Sequence, residues 1–185
     1  MTQTLWLASR SPRRKQLLEW AGWAVRCEPA DIDERWDPTV PPVEHALNLA
    51  KGKAALAPST ELALAADTVV HADGVLFDKP INRTEAFEHL SRLSGRWHTV
   101  TTGVMAKCGP RQQWFSVHTE VRFRSIVASE IERYLATGDA DDKAGAYGIQ
   151  GPGGFLIAEL RGSWTNVMGL PVEETLAALR KVQFP

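Results

Sequence analysis

The order of hydrophobic segments predicts an α/β fold built on a mixed sheet. Three observations carry this. Near the start, a short apolar run passes directly into helix signals, and another strand follows. A nearly continuous apolar segment, Leu62 to Val70, reads as a central strand covered on both faces. Later, two long alternating segments meet at Cys108-Gly109-Pro110, as an antiparallel pair does, and the chain closes with a helix.

In chain order, Leu5 to Ala8 is the first strand. Ser11-Pro12 then starts a helix, with Ser11 as N-cap and Pro12 where its missing N–H is harmless. Leu17, Leu18 and Ala21 recur at helical spacing, and Gly22 stops the helix. Ala24 to Glu28 is a second strand, followed by the acidic group Asp31-Ile32-Asp33-Glu34 and an irregular connection containing Pro38, Pro41 and Pro42. A helix runs from Val43 to the stop at Pro58. After the central strand, Ala72-Asp73-Gly74 turns the chain into Val75 to Pro80, and a helix spans Thr84 to Leu93. The alternating segments are Gly95 to Lys107 and Gln113 to Ser125. Ser129 is expected to cap a helix reaching Leu135. A segment with five glycines between Gly145 and Gly154 implies close backbone approach or a sharp bend. Phe155 to Leu160 is a strand and Val172 to Val182 the last helix.

The 185 residues suit one large domain, or two small lobes sharing a core. A formal charge of −1 argues against a dedicated nucleic-acid binder. Cys27 and Cys108 form no redox or metal-type pair and fit a reducing cytoplasm. No segment has the length of a membrane span. The N-terminus lacks the order of a signal peptide, because its apolar run precedes its basic residues. There is no Gly-x-x-x-x-Gly-Lys-Ser/Thr loop, calcium loop or dinucleotide fingerprint. The five histidines lack paired ligand spacing.

Chemistry concentrates where elements end. Ser9 to Lys15 carries two hydroxyls and four cations at a helix N-terminus, a place that attracts anions. This stretch is either a phosphate grip or a capped, solvated basic turn. Asp67 stands out because a carboxylate in an apolar strand is costly unless ion-paired, metal-bound or at the strand's end. Glu34 and Lys79 also sit at element ends, whereas Lys53 on a helix and Lys79 before a proline read by default as surface cations. If these groups converge, cations would hold a polyphosphate, and carboxylates would hold a metal and activate water.

Eight segments in order resemble the Maf family of nucleoside triphosphate pyrophosphatases. They are Leu7 to Arg14, Asp31 to Glu34, Leu49 to Ala54, Ala66 to Val70, Asp78 to Pro80, Leu93 to Arg96, Asp142 to Gly151 and Asn166 to Pro171. The resemblance implies one domain over residues 1–185, with a mixed, bent sheet and two lobes around a cleft, similar to inosine triphosphate pyrophosphatases. It implies hydrolysis of a nucleoside triphosphate to the monophosphate and pyrophosphate, with Mg²⁺ or Mn²⁺ as cofactor. Carried over by motif, Ser9, Arg13, Arg14, Lys53 and Lys79 would contact phosphates, Glu34 and Asp67 would hold the metal, and Asp67 would accept the proton of the attacking water. Gln150, in Gly148-Ile149-Gln150-Gly151, resembles the subfamily acting on dTTP and UTP, with modified pyrimidine triphosphates as further candidates. A 7-methyl-GTP pyrophosphatase and a septation-inhibiting adaptor are the alternatives. The expected setting is a cytoplasmic homodimer that engages neither nucleic acid nor membrane.

Overall fold

Leu5, Trp6 and Leu7 are all buried, so this strand shows no polar face and needs neighbours on both edges. It has them. Strand β1 (Leu5–Leu7) pairs in parallel with β2 (Val25–Cys27) and with β3 (Leu62–Ala72). The computed structural model describes residues 4–183. Helix α1 (Pro12–Trp20) connects β1 to β2, and α2 (Pro42–Ala55) connects β2 to β3. Strand β4 (Val75–Phe77) folds back antiparallel on β3 through Asp73 and Gly74, both in the left-handed region at φ 51° and 74°. After α3 (Arg83–Leu93) come β5 (Trp97–Cys108) and β6 (Arg111–Phe123), then α4 (Ala128–Leu135). Strand β7 (Ile157–Arg161), α5 (Trp164–Met168) and α6 (Val172–Gln183) complete the chain. The sheet has seven strands in the order β2-β1-β3-β5-β6-β7, with β4 attached to β3. It is mixed and open, as the predicted fold class requires.

The described residues form two compact units. The first comprises residues up to Thr68, Thr102–Val117 and those from Gly169 onward; the second comprises Val69–Thr101 and His118–Met168. Strands β3, β5 and β6 pass from one unit into the other. In the first unit, an alanine-rich core joins Trp6, Ala8, Ala50, Ala54, Ala63, Ala65 and Met105. Small side chains let α2 approach the sheet. At Gly103 the approach is so close that a Cβ would lie 2.6 Å from the backbone of Ala46 and Leu47. The second unit has a larger core, with Phe77, Leu90, Leu93, Phe123, Ile131, Tyr134, Tyr147 and Leu156.

Several predicted boundaries need correction. Ser129 lies inside α4. The N-cap is Val127, whose N–H donates to Glu130 Oε2 at 3.0 Å, so a side chain three residues ahead does the capping. Phe155 and Leu156 belong to a 3-10 turn (Gly151–Leu156) rather than to β7, with Phe155 largely exposed. The first helix behaves as predicted: Ser11 Oγ accepts from Arg14 N at 3.4 Å, and Gly22 adopts φ 87°.

Candidate functional site

The turn between β1 and α1 is built around Arg14. The N-cap at Ser11 fixes the first helical turn, which carries Arg14 back over the end of β1. Its guanidinium then donates in three directions: Nε to Gly169 O at 2.8 Å, Nη1 to Ser9 Oγ at 3.2 Å, and Nη2 to Thr68 Oγ1 at 3.0 Å. Arginine has five N–H groups in a rigid fork, so two remain for a ligand. Burial lowers the Arg14 pKa, Asp67 opposes that shift, Arg13 reinforces it and Glu34 opposes it. Its charge therefore lies within the electrostatic reach of both predicted carboxylates.

Ser9 is buried, and its Oγ also accepts from Ser11 N at 3.1 Å. With Arg14 and Ser11 taking both lone pairs, the remaining function of this hydroxyl is its own proton. A hydroxyl restricted to donating suits an anion. Arg13 is half-buried in the same helical turn, and Arg10 is exposed.

The acid in the apolar strand finds an ammonium. Asp67 is buried within β3, and its Oδ1 lies 2.7 Å from Lys53 Nζ. The same ammonium lies 2.6 Å from Glu34 Oε1. Lys53, predicted by default to be a surface cation, is only 8% exposed at its side chain, because its position in the last turn of α2 aims it at β3. Asp67 is 13% and Glu34 43% exposed, so the cluster has a dry end and a wet end. Of the three acids in the segment Asp31 to Glu34, only Glu34 joins it. Asp33 is exposed and pairs with Arg35, whose hydrogen bonds pull its pKa down to about 2.

The sequence-predicted residues thus fall into groups. Ser9 and Arg14 are bonded to each other, and Glu34, Lys53 and Asp67 share one ammonium, all in the first unit. Lys79 and Gln150 belong to the second. Lys79 is exposed after β4, and its N–H donates to Asp78 Oδ1 at 2.7 Å. Gln150 is half-buried just ahead of the 3-10 turn at Gly151. Among the described residues there is no group of three or more His, Cys, Asp or Glu arranged to hold a metal. A divalent ion of the magnesium type needs fewer, because water and substrate phosphates fill much of its shell. Glu34 and Asp67 already converge on one cation, and two hard oxygens of that kind fit such an ion.

Sequence reasoning missed Thr68, Thr102 and Gly169 as part of this site. Thr68 and Gly169 lie inside recognised motifs, but only the fold shows that both receive Arg14. Thr102 reads in sequence as one more residue of an alternating strand.

Comparison with known proteins now decides the family. Residues 4–182 match the family described as Maf-like protein. The chain belongs to the Maf family. A dTTP/UTP pyrophosphatase of Anaeromyxobacter dehalogenans is 44% identical over 189 residues, covering 100% of this chain and 97% of that protein. Proteins of the same name from Moorella thermoacetica and Bacillus pumilus are 46% and 39% identical. Those two matches cover 92% and 94% of this chain and 92% and 93% of the relatives. In this Maf protein no helix among the described residues is long and apolar enough to cross a membrane.

Proposed function

We propose that this Maf protein is a nucleoside triphosphate pyrophosphatase that hydrolyses dTTP and UTP to the monophosphate and pyrophosphate. The observation that carries the reading is the buried Asp67, held by Lys53 beside Glu34 and within electrostatic reach of the Arg14 turn. The pyrimidine preference rests on the names of its relatives.

Ser9 donates its hydroxyl to a phosphate oxygen, and Arg13 and the two remaining N–H groups of Arg14 neutralise phosphate charge. Lys53 fixes Asp67 through Oδ1, which leaves Oδ2 to take a proton from water. As water oxygen bonds the α-phosphorus, the bond from that phosphorus to the bridging oxygen breaks. Pyrophosphate leaves with the electron pair. Charge building on the phosphate oxygens is met by groups already oriented toward it. Glu34 and Asp67 would hold Mg²⁺ or Mn²⁺, which when bound would neutralise phosphate charge and make a nearby water more acidic. From the family resemblance, Lys79 is a further phosphate contact and Gln150 reads the base edge through an amide that both donates and accepts. The same resemblance supports one catalytic domain, a homodimer and a cytoplasmic setting, and the net charge of −1 supports action without nucleic acid.

The test is pyrophosphate release from dTTP, UTP, GTP and 7-methyl-GTP with Mg²⁺. Release from dTTP and UTP is expected to dominate, and Asp67→Asn is expected to lose at least about 10²-fold in turnover while remaining folded. No release from any nucleotide would overturn the enzyme reading. Dominant 7-methyl-GTP hydrolysis would overturn the substrate assignment. Near-normal turnover in Asp67→Asn would remove Asp67 from its role.

A further inference from the structure

The acidic strap after β2 is fastened to α2 by every second residue. Ala30 packs against the alanine-rich core that includes Ala50 and Ala54. Ile32 lies over Gly52: a Cβ there would sit 3.3 Å from Ile32 Cδ1, inside the about 4 Å of ordinary apolar contact. Glu34 reaches the next residue of the helix, Lys53, at 2.6 Å. The residues between them turn outward. Asp31 and Asp33 are exposed, and Asp33 bonds Arg35 on the strap itself. Glycine inside a helix is unfavourable relative to alanine, so Gly52 in α2 marks a need for space. Ile32 fills that space.

The polar and apolar attachments differ in kind. Contacts made by the Glu34 carboxylate are exchanged when that carboxylate turns from the ammonium to a divalent ion. The seating of Ile32 is apolar and is not exchanged. We infer that Ile32, seated in the notch at Gly52, is a positioning residue that keeps the Glu34 carboxylate beside Lys53 and Asp67, where the metal is to be held. The assignment rests on the proposed metal role of Glu34. The Glu34 side chain is 43% exposed, so packing of its own does little to fix it, and the backbone that carries it matters more. Ile32 holds that backbone two residues ahead. Without this seat the strap must be ordered again whenever the ion binds, which lowers metal affinity. Ile32 touches no reacting atom in this scheme.

Binding of Mn²⁺ to the protein without nucleotide, read from the electron paramagnetic resonance of free Mn²⁺, measures the effect apart from catalysis. Ile32→Ala is expected to weaken it about fivefold, the cost of ordering one loosened contact. The Mg²⁺ concentration for half-maximal dTTP hydrolysis should rise by a similar factor, with a smaller change in kcat at saturating Mg²⁺. A double-mutant cycle separates positioning from general loss of structure. Glu34→Gln should also weaken Mn²⁺ binding, and adding Ile32→Ala to it should cost nothing further. Trypsin should cut faster after the exposed Arg35 in Ile32→Ala, because the strap opens more often. Wild-type Mn²⁺ affinity or unchanged cleavage in Ile32→Ala, or losses that multiply in the double variant, would overturn the assignment. If Ile32→Ala does not fold, Ile32→Val deletes only the Cδ1 methyl, and Gly52→Ala in that background returns a methyl from the helix side. Recovery of Mn²⁺ affinity in that pair supports the assignment, and a pair no tighter than Ile32→Val alone overturns it. Wild-type Mn²⁺ affinity in Glu34→Gln would remove Glu34 from the metal and strike that part of the proposed function together with the assignment. A loss in Glu34→Gln that Ile32→Ala does not share would strike the assignment alone.

Discussion

The Arg14 turn of the first unit and the glycine-rich segment of the second are both irregular loops, yet different forces hold them. The Arg14 turn is fixed by side chains: one guanidinium reaches two hydroxyls and a carbonyl, and one ammonium reaches two carboxylates. The glycine-rich segment is fixed largely by backbone proximity. A Cβ at Gly153 would overlap Gly148 O, and one at Gly148 would lie 2.7 Å from the stem of Lys143. Its anchors are aromatic: Tyr147 OH meets His98 Nε2 at 2.8 Å, with Phe123 edge-on to both rings. The difference bears on how each can fail. A side-chain frame loses charge balance when one residue is removed, whereas a backbone frame fails when one atom is added.

The largest effect is expected where charge balance is lost in a buried place. Lys53→Ala would leave Asp67 buried beside Glu34 with no ammonium between them. Removing one partner of a buried pair typically costs about 3–5 kcal/mol, and the half-exposed Glu34 sets the expectation near the lower figure, about 3 kcal/mol. Urea denaturation measures it. Mg²⁺ should raise the midpoint of this variant more than that of the wild type, because a cation then replaces the ammonium. An unchanged midpoint without metal would show that the cluster is solvated rather than charge-balanced.

Adding an atom to the other frame comes next. Gly153→Ala is expected to cost about 2 kcal/mol or more, since the new methyl would meet Gly148 O and N and Tyr134 Oη and cannot be absorbed by a flexible side chain. Gln150 lies inside the same segment, so the dTTP-over-GTP ratio should change with stability. A stable Gly153→Ala protein with wild-type selectivity would show that the segment tolerates rearrangement.

Acid also separates the two frames. Burial lowers the His98 pKa to about 4, against about 6.5 in the unfolded chain. Between those values the unfolded state binds the extra proton, so stability falls as pH falls from about 6.5 towards 4. From pH 6.5 to pH 5 the loss from this group is expected to be about 1.5 kcal/mol. His98→Phe should flatten that part of the stability profile, measured by urea denaturation at several pH values. An identical slope in the variant would assign the loss to other groups, with His71 and His89 next because burial lowers both.

The fold was largely legible in the chain because hydrophobic period reports element type directly. Leu62 to Val70 looked like a central strand and is one. The Asp67 reading followed from the same logic, since a carboxylate in that run needed a partner. The partner's identity was not legible. Lys53 is fourteen residues away on a helix, and only the packing of α2 against β3 turns it inward. The depth to which Arg14 is committed to its own protein was equally hidden, because Gly169 lies 155 residues away. Periodicity describes one element at a time, whereas these contacts depend on which elements become neighbours. Ser129 shows the converse: a local capping rule failed because the helix starts two residues earlier, at Val127, whose own N–H is satisfied by Glu130 from inside the helix.

The smallest effect tests whether the glycine-rich segment owes anything to side chains at all. Tyr134 OH donates to Asp139 Oδ2 at 2.8 Å, and Asp139 also pairs with Lys143 at 3.2 Å. The Lys143 stem lies against Gly148. Tyr134→Phe removes one hydroxyl from this chain while Asp139 keeps its ammonium, so the expected destabilisation is about 1 kcal/mol, that of a single neutral donor. The more informative reading is selectivity. If Tyr134 and Lys143 steady the backbone that presents Gln150, the dTTP-over-GTP ratio should fall a few-fold with little change in Asp67-dependent turnover. An unchanged ratio at reduced stability would leave the glycine contacts as the sole frame of the segment, and would make the contrast with the Arg14 turn complete.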